Sequence, residues 1–117
     1  MRIEVRNAST GLPVAVNAEV ARGPVRRGLG LIGRRGWPRS DGLVLEHCNS
    51  IHCFFMRMPI DVLYVDKRGH VVKALPAVNP WRIGPISFKT DWVLELPAGT
   101  IERTGTRVGD RLERVAA

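Results

Sequence analysis

The stretch from Gly42 to Asp66 constrains the fold more than any other part of this sequence, because it contains the one apolar run long enough to seed a core. Its residues fall into three short extended runs separated by two loops, which predicts strands at 43–46, 53–56 and 60–65. Both cysteines and two of the three histidines also lie in this stretch. Any site is therefore expected where these polar residues meet the buried strands.

The rest of the chain consists of similar short runs between glycine or proline turns. Alternation of apolar and polar residues predicts one strand over 2–6 and another over 13–20, which could pair antiparallel with one solvated face. The second strand is expected to bury one face formed by Val14, Val16, Ala18 and Val20. Further strands are predicted at 70–75, 92–96 and 111–115. We therefore predict a mainly β fold, a compact antiparallel β barrel or sandwich-like single domain that covers residues 1–117.

Two helical segments are predicted. Pro24 and apolar residues at spacings of four and three predict one short helix near residues 24–33. Thr100 is expected to cap a single helical turn that Gly105 stops.

Two connections are also predicted. Residues 66–69 form a hairpin turn in which Gly69 is expected to take a positive φ. Residues 76–91 are interpreted as a long irregular loop, and loops of this length in a compact domain are often functional.

The basic charge of the sequence is concentrated in one place. A chain of 117 residues with a net charge of +7 is long enough for one domain with one core. Between Glu19 and Asp41 lie six arginines and no acid. They are Arg22, Arg26, Arg27, Arg34, Arg35 and Arg39. Such a patch could attract a polyanion, although it is more often a solvated surface. Nucleic acid is not favoured, because Trp37 is the patch's one aromatic residue for base stacking.

The first ten residues alternate charged and apolar side chains and contain no apolar segment for export. No run in the sequence is long enough to cross a bilayer. We therefore expect a cytoplasmic protein with reduced thiols and no association with a membrane.

Four potential metal ligands, His47, Cys48, His52 and Cys53, lie close together. In an extended chain the side chains of residues 47 and 53 point to one face and those of 48 and 52 to the other, so the four do not converge on one ion. A disulfide between the two cysteines is not favoured either. We expect no metal or other cofactor, and we interpret both cysteines as small buried hydrophobic residues.

Cys48 and His52 could instead be a nucleophile and its base, with Asp61 as the nearest group to orient the imidazole. Asp61 begins a strand on the same face as Leu63, and a carboxylate among apolar residues needs a hydrogen-bond or cationic partner. Arg57, four residues earlier, is the expected partner. We favour a structural pair of Asp61 and Arg57 over a catalytic role.

A series of short motifs follows one another along nearly the whole chain. They are Arg27-Gly28-Leu29, Gly42-Leu43, Phe54-Phe55-Met56-Arg57, Pro59-Ile60-Asp61-Val62, Tyr64-Val65-Asp66 with Gly69, Val93-Leu94-Glu95-Leu96-Pro97-Ala98-Gly99 and Val108-Gly109-Asp110. In this order they resemble the bacterial and archaeal family catalogued as domain of unknown function 192. The resemblance implies a compact β-rich domain, and it implies no activity because the family has none established. The family's typical central motif includes an Asn-Thr segment, which is absent here because Met56-Arg57-Met58 leads straight into Pro59.

The leading hypothesis from the sequence is a non-catalytic binding module with a small polar pocket for an anionic or zwitterionic ligand. The pocket would be lined by Arg27, Cys48, His52, Arg57 and Asp61. One alternative is a thiol- or acid/base-dependent enzyme that uses Cys48 or Asp61 with His52. The other is polyanion binding through the arginines between Arg22 and Arg39.

Overall fold

The computed structural model of the chain describes residues 2–21, 40–47, 58–79 and 87–116. Within these ranges lie seven strands and one short helix. The elements are β1 (Arg2–Asn7), β2 (Leu12–Ala21), β3 (Gly42–Glu46), β4 (Ile60–Val65), β5 (Val71–Val78), β6 (Trp92–Pro97), α1 (Thr100–Thr104) and β7 (Leu112–Ala116). The helix predicted near residues 24–33 and the strand predicted at 53–56 lie outside the described residues.

The strands form one sheet in the order β5-β4-β6-β3-β2-β1-β7. Five of the neighbouring pairs are antiparallel, and β2 with β3 is the one parallel pair among the described strands. The sheet curls into a half-barrel. The prediction of a mainly β, largely antiparallel fold is therefore confirmed, whereas the parallel pair was not anticipated.

The two edges of the curled sheet meet at a short seam. His70, just before β5, forms an isolated antiparallel bridge with Arg111, just before β7. Beside it, the Val71 N–H donates to the Asp110 carbonyl and the Val71 carbonyl accepts from the Gly109 N–H, both at 2.8 Å. Because of these bonds, the start of β5 has backbone partners on both of its sides, and the turn 107–110 lies directly against it.

The core has two parts, one on each face of the sheet. The first cluster includes Trp92, Leu94 and Leu96 of β6, as their alternation predicted, together with apolar residues of β1, β2, β4 and β7. The second cluster lies on the opposite face and includes Val93 and Val62. The central strands β4 and β6 are therefore buried on both faces, and most of their residues are apolar.

The alternation predicted for the second strand is wrong at Val16, whose side chain is 58% exposed. Ile3 pairs with Ala18, but Val5 pairs with Ala15, so β2 carries one more residue than β1 across this step. Such a bulge resets the in-and-out alternation of side chains. The Asp41 carboxylate accepts from the bulge's two N–H groups, Val16 N at 2.7 Å and Asn17 N at 2.8 Å.

The fifth strand also differs from its prediction, because it continues to Val78 rather than ending at 75. The described part of the interval predicted as a loop, 76–91, therefore begins as strand. The residue Ala77 takes a positive φ of 50° there. Its N–H donates to the Asp61 carboxylate at 2.8 Å, so a side chain distant in sequence holds the end of this strand.

The predicted helical turn is present, but its capping residue is different. Helix α1 follows Gly99, which is its N-cap at a φ of 95°, and ends at Gly105 at a φ of 67°. The Thr100 hydroxyl caps no N–H of α1; it donates to the Pro97 carbonyl at 2.7 Å. The Asp61 carboxylate accepts from the Ile101 N–H in the first turn.

We expect the substitution Gly69→Ala to destabilise the fold by about 2 kcal/mol. Gly69 takes the predicted positive φ, 89°, and a Cβ placed there would lie 2.6 Å from the Leu112 carbonyl oxygen. Gly99→Ala is the matched control, because its φ is 95° but a Cβ there would meet nothing within 4 Å. Urea unfolding should show a loss of stability for Gly69→Ala at least twice that for Gly99→Ala. Equal losses would contradict the steric argument.

Candidate functional site: two buried carboxylates and a basic groove

Asp61 is the one sequence-predicted site residue that lies within the described part of the chain. It stands on β4, is 1% exposed, and accepts two backbone hydrogen bonds of 2.8 Å. One oxygen accepts from Ala77 N at the end of β5, and the other accepts from Ile101 N in α1. The carboxylate therefore links β4 to β5 and α1, and its hydrogen bonds stabilise the fold.

The other four predicted pocket residues, Arg27, Cys48, His52 and Arg57, lie outside the described residues. Their convergence on Asp61, and the pairing of Arg57 with it, stay predictions. His47, the one described member of the cysteine–histidine cluster, is exposed and lies 3.5 Å from Asp91. Across residues 2–21, 40–47, 58–79 and 87–116, no three His, Cys, Asp or Glu side chains come together as metal ligands would.

Glu95 is a second buried carboxyl group, and its burial was not predicted from the sequence. It is 5% exposed on the central strand β6. Its cross-strand neighbours are Leu43 on β3 and Val62 on β4, both of them buried. Burial raises the pKa of Glu95 from its ordinary value of 4.5 to about 7, because the charged form loses its hydration.

Asp61 and Glu95 differ in what surrounds their oxygens. Both oxygens of Asp61 accept N–H groups, whereas within the described ranges no hydrogen-bond donor or cation contacts the Glu95 carboxyl group. A buried carboxyl group without such a partner favours its neutral form. Glu95 consequently stays protonated to a higher pH than an ordinary glutamate does.

The sequence signal that could have identified Glu95 is the composition of β6. In a sheet with one wet face, Glu95 would point to solvent, since it alternates with Leu94 and Leu96. However, Trp92–Pro97 is almost continuously apolar, which is typical of a strand covered on both faces. An acidic residue in such a strand has to be buried.

A groove of about 670 Å³ lies along the seam of the sheet. Three segments form it: the start of β5 with the residue before it, the turn around Phe88, and the turn at Val108 and Gly109. Its lining residues are His70, Val71, Val72, Lys73, Ser87, Phe88, Lys89, Val108 and Gly109. The groove therefore combines basic side chains with apolar ones.

The two lysines of the groove are available for a ligand. Across the described ranges, neither Lys73 nor Lys89 has a carboxylate oxygen within 4.0 Å. The third basic residue, His70, lies 4.0 Å from the Asp66 carboxylate, which also accepts the His70 N–H. None of the groove's lining residues is acidic, so the two lysines give this lining a net positive charge.

These features define a class of protein, a small curled β-sheet domain whose interior is tied together by a buried aspartate. The sequence matches the model of the family described as Uncharacterized ACR, domain of unknown function 192, over residues 5–114. The chain belongs to this family. It is 31% identical over 112 residues to a UPF0127 protein of Pyrococcus furiosus, and the match covers 92% of this chain and 94% of that protein.

Solved structures show the same fold. A chain from Sinorhizobium meliloti, described as a candidate transcription regulator, is 28% identical with a TM-score of 0.81, and the match covers 97% of this chain and 92% of that one. A protein of unknown function from Novosphingobium aromaticivorans has a TM-score of 0.80 at 21% identity, and the match covers 97% and 84% of the two chains. In the described part of our chain, no helix has the length and apolar character needed to span a membrane.

Proposed function

We propose that this protein is a non-catalytic binding module for a small anionic or zwitterionic ligand. The observation that supports this most is the pair of lysines in the groove, neither of which has an acidic partner in the described residues. The site suggested by the sequence, around Arg27, Cys48, His52 and Arg57, is a second place for such a ligand. We expect the protein to act in the cytoplasm.

The physical case for an anion is electrostatic. Two ammonium groups on one concave surface raise the local concentration of anions. Charge-assisted hydrogen bonds from lysine to a carboxylate or phosphate are roughly twice as strong as neutral ones. A groove of about 670 Å³ also has the size of a small-molecule site.

Inorganic phosphate and citrate are expected to bind in a saturable way and to raise the Tm of the parent protein. The double variant Lys73→Gln and Lys89→Gln should bind them at least about tenfold more weakly, because each lysine supplies a charge-assisted contact worth on the order of 1 kcal/mol. Isothermal titration at fixed ionic strength would measure the affinities.

A control variant with the same loss of charge, Lys67→Gln and Arg103→Gln, changes two exposed residues that do not line the groove. It should bind phosphate and citrate as the parent does. If neither anion binds the parent, or if both double variants lose affinity equally, the proposal is wrong.

An enzyme that uses Cys48 or Asp61 with His52 is the second candidate, and Asp61 is the one of these three residues that lies within the described ranges. The roles of Cys48 and His52 in the thiol version, and polyanion binding by the arginines from Arg22 to Arg39, stay predictions.

A further inference from the structure

We propose that the ligand of the groove is an amphipathic anion, a small molecule with one anionic head and an aromatic or aliphatic body. This inference rests on the proposed function, because it names the class of ligand that the same groove would take. It depends on a separate set of residues, the apolar ones.

Two apolar side chains of the groove are exposed to solvent to an unusual degree. Phe88 is 92% exposed and Val108 is 61% exposed. The described chain exposes five large apolar residues, and these are the two with the highest exposure. Both line the groove that also carries Lys73 and Lys89. When an apolar group of a ligand covers an exposed aromatic ring, the free energy of binding becomes more favourable, because apolar surface is removed from water.

The base of the groove adds further apolar surface at Val71, whose backbone groups are already bonded. Val71 is 1% exposed, and its N–H and carbonyl are already bonded to the turn at Gly109 and Asp110. A peptide strand could therefore not extend the sheet at this point, since the hydrogen bonds it would need are taken. Beside Val71, a ligand would therefore be recognised by side chains, which means charge from the lysines and contact from Phe88, Val72 and Val108.

One lysine of the groove lies next to the groove's most exposed apolar residue in the chain. Lys73 comes from β5 and Lys89 from the turn that also presents Phe88, so a basic and an aromatic residue are adjacent in the chain. A ligand whose head contacts Lys89 would bring its body within reach of Phe88. An inorganic anion would contact Lys89 but has no apolar body to contact Phe88.

Phenyl phosphate and inorganic phosphate test this, because they share a head group and differ by an aromatic ring. We expect phenyl phosphate to bind the parent about tenfold more tightly, which corresponds to about 1.4 kcal/mol. In Phe88→Ser, phenyl phosphate should fall to the affinity of inorganic phosphate, whose own affinity should not change. Val115→Ser is the control, since Val115 is also exposed but does not line the groove.

The outcomes separate the two proposals. If both phosphates bind the parent equally, or if Phe88→Ser keeps the tenfold preference, the ligand is not amphipathic, while anion binding stands. If neither phosphate binds, both proposals are wrong. The amphipathic ligand is supported if Phe88→Ser loses the preference for phenyl phosphate over inorganic phosphate but still binds inorganic phosphate as the parent does. Val115→Ser should keep the preference.

Discussion

Replacing Asp61 with alanine is expected to lower the free energy of unfolding by about 3–5 kcal/mol. The two N–H groups that the carboxylate accepts, from Ala77 and Ile101, would lose their partner at a buried site. Each hydrogen bond to a charged group contributes about 1.5–3 kcal/mol. The positive φ of Ala77, 50°, would also lose the contact that holds it.

Asp41→Ala is a close control for this experiment. The Asp41 carboxylate also accepts two backbone N–H groups, at 2.7 and 2.8 Å, but these bonds are exposed to solvent. Water can replace the carboxylate there, so we expect a loss of only about 1–2 kcal/mol. Urea unfolding of both variants measures the difference, and Asp61→Asn serves if Asp61→Ala does not fold. Similar losses for Asp61→Ala and Asp41→Ala would show that burial is not what makes Asp61 important.

Glu95→Gln is expected to remove a pH dependence of stability of about 3 kcal/mol between pH 4 and pH 8. The pKa of Glu95 is about 7 in the folded protein, above its ordinary value of 4.5. Between these values the folded state binds more protons than the unfolded state, so stability falls as the pH rises. The stability that the neutral carboxyl group contributes is complete below pH 4.5 and is lost as the pH passes through about 7.

The measurement is urea unfolding of the parent and of Glu95→Gln at several pH values. The two proteins should be similar in stability near pH 4, and the variant should be the more stable near pH 8. Glu113→Gln is the control, since Glu113 is exposed and should leave the pH profile as it is in the parent. Parallel profiles for the parent and Glu95→Gln would mean that Glu95 is not forced to be neutral by burial.

Some of the candidate chemistry could be predicted from the sequence and some could not. Asp61 was identified because an acidic residue at the start of an apolar strand needs a partner, and that reasoning is local. Its partners are Ala77 and Ile101, 16 and 40 positions away, and no spacing rule indicates them. The burial of Glu95 was not predicted, because alternation indicates on which face of a strand a side chain lies but not whether other residues cover that face.

The groove was not predicted at all. It combines the neighbourhoods of Lys73, Lys89 and Val108, which are separate in the sequence and come together where the curled sheet meets its own edge. The bulge in β2 is a smaller example. It is fixed by Asp41 from the loop before β3, and it turns Val16 outward against the alternation.

The sequence by itself determined the mainly β fold, the extents of β1, β4 and β6 to within a residue, and the turn at Gly69. Periodicity and turn chemistry specify these features because they depend only on neighbouring residues. The tertiary structure alone decided the strand order, the parallel pairing of β2 with β3, the burial of Glu95 and the placement of Lys73 in one groove with Phe88 and Lys89. These depend on which distant segments pair, and pairing is selected by the packing of the whole sheet rather than by any one stretch of it.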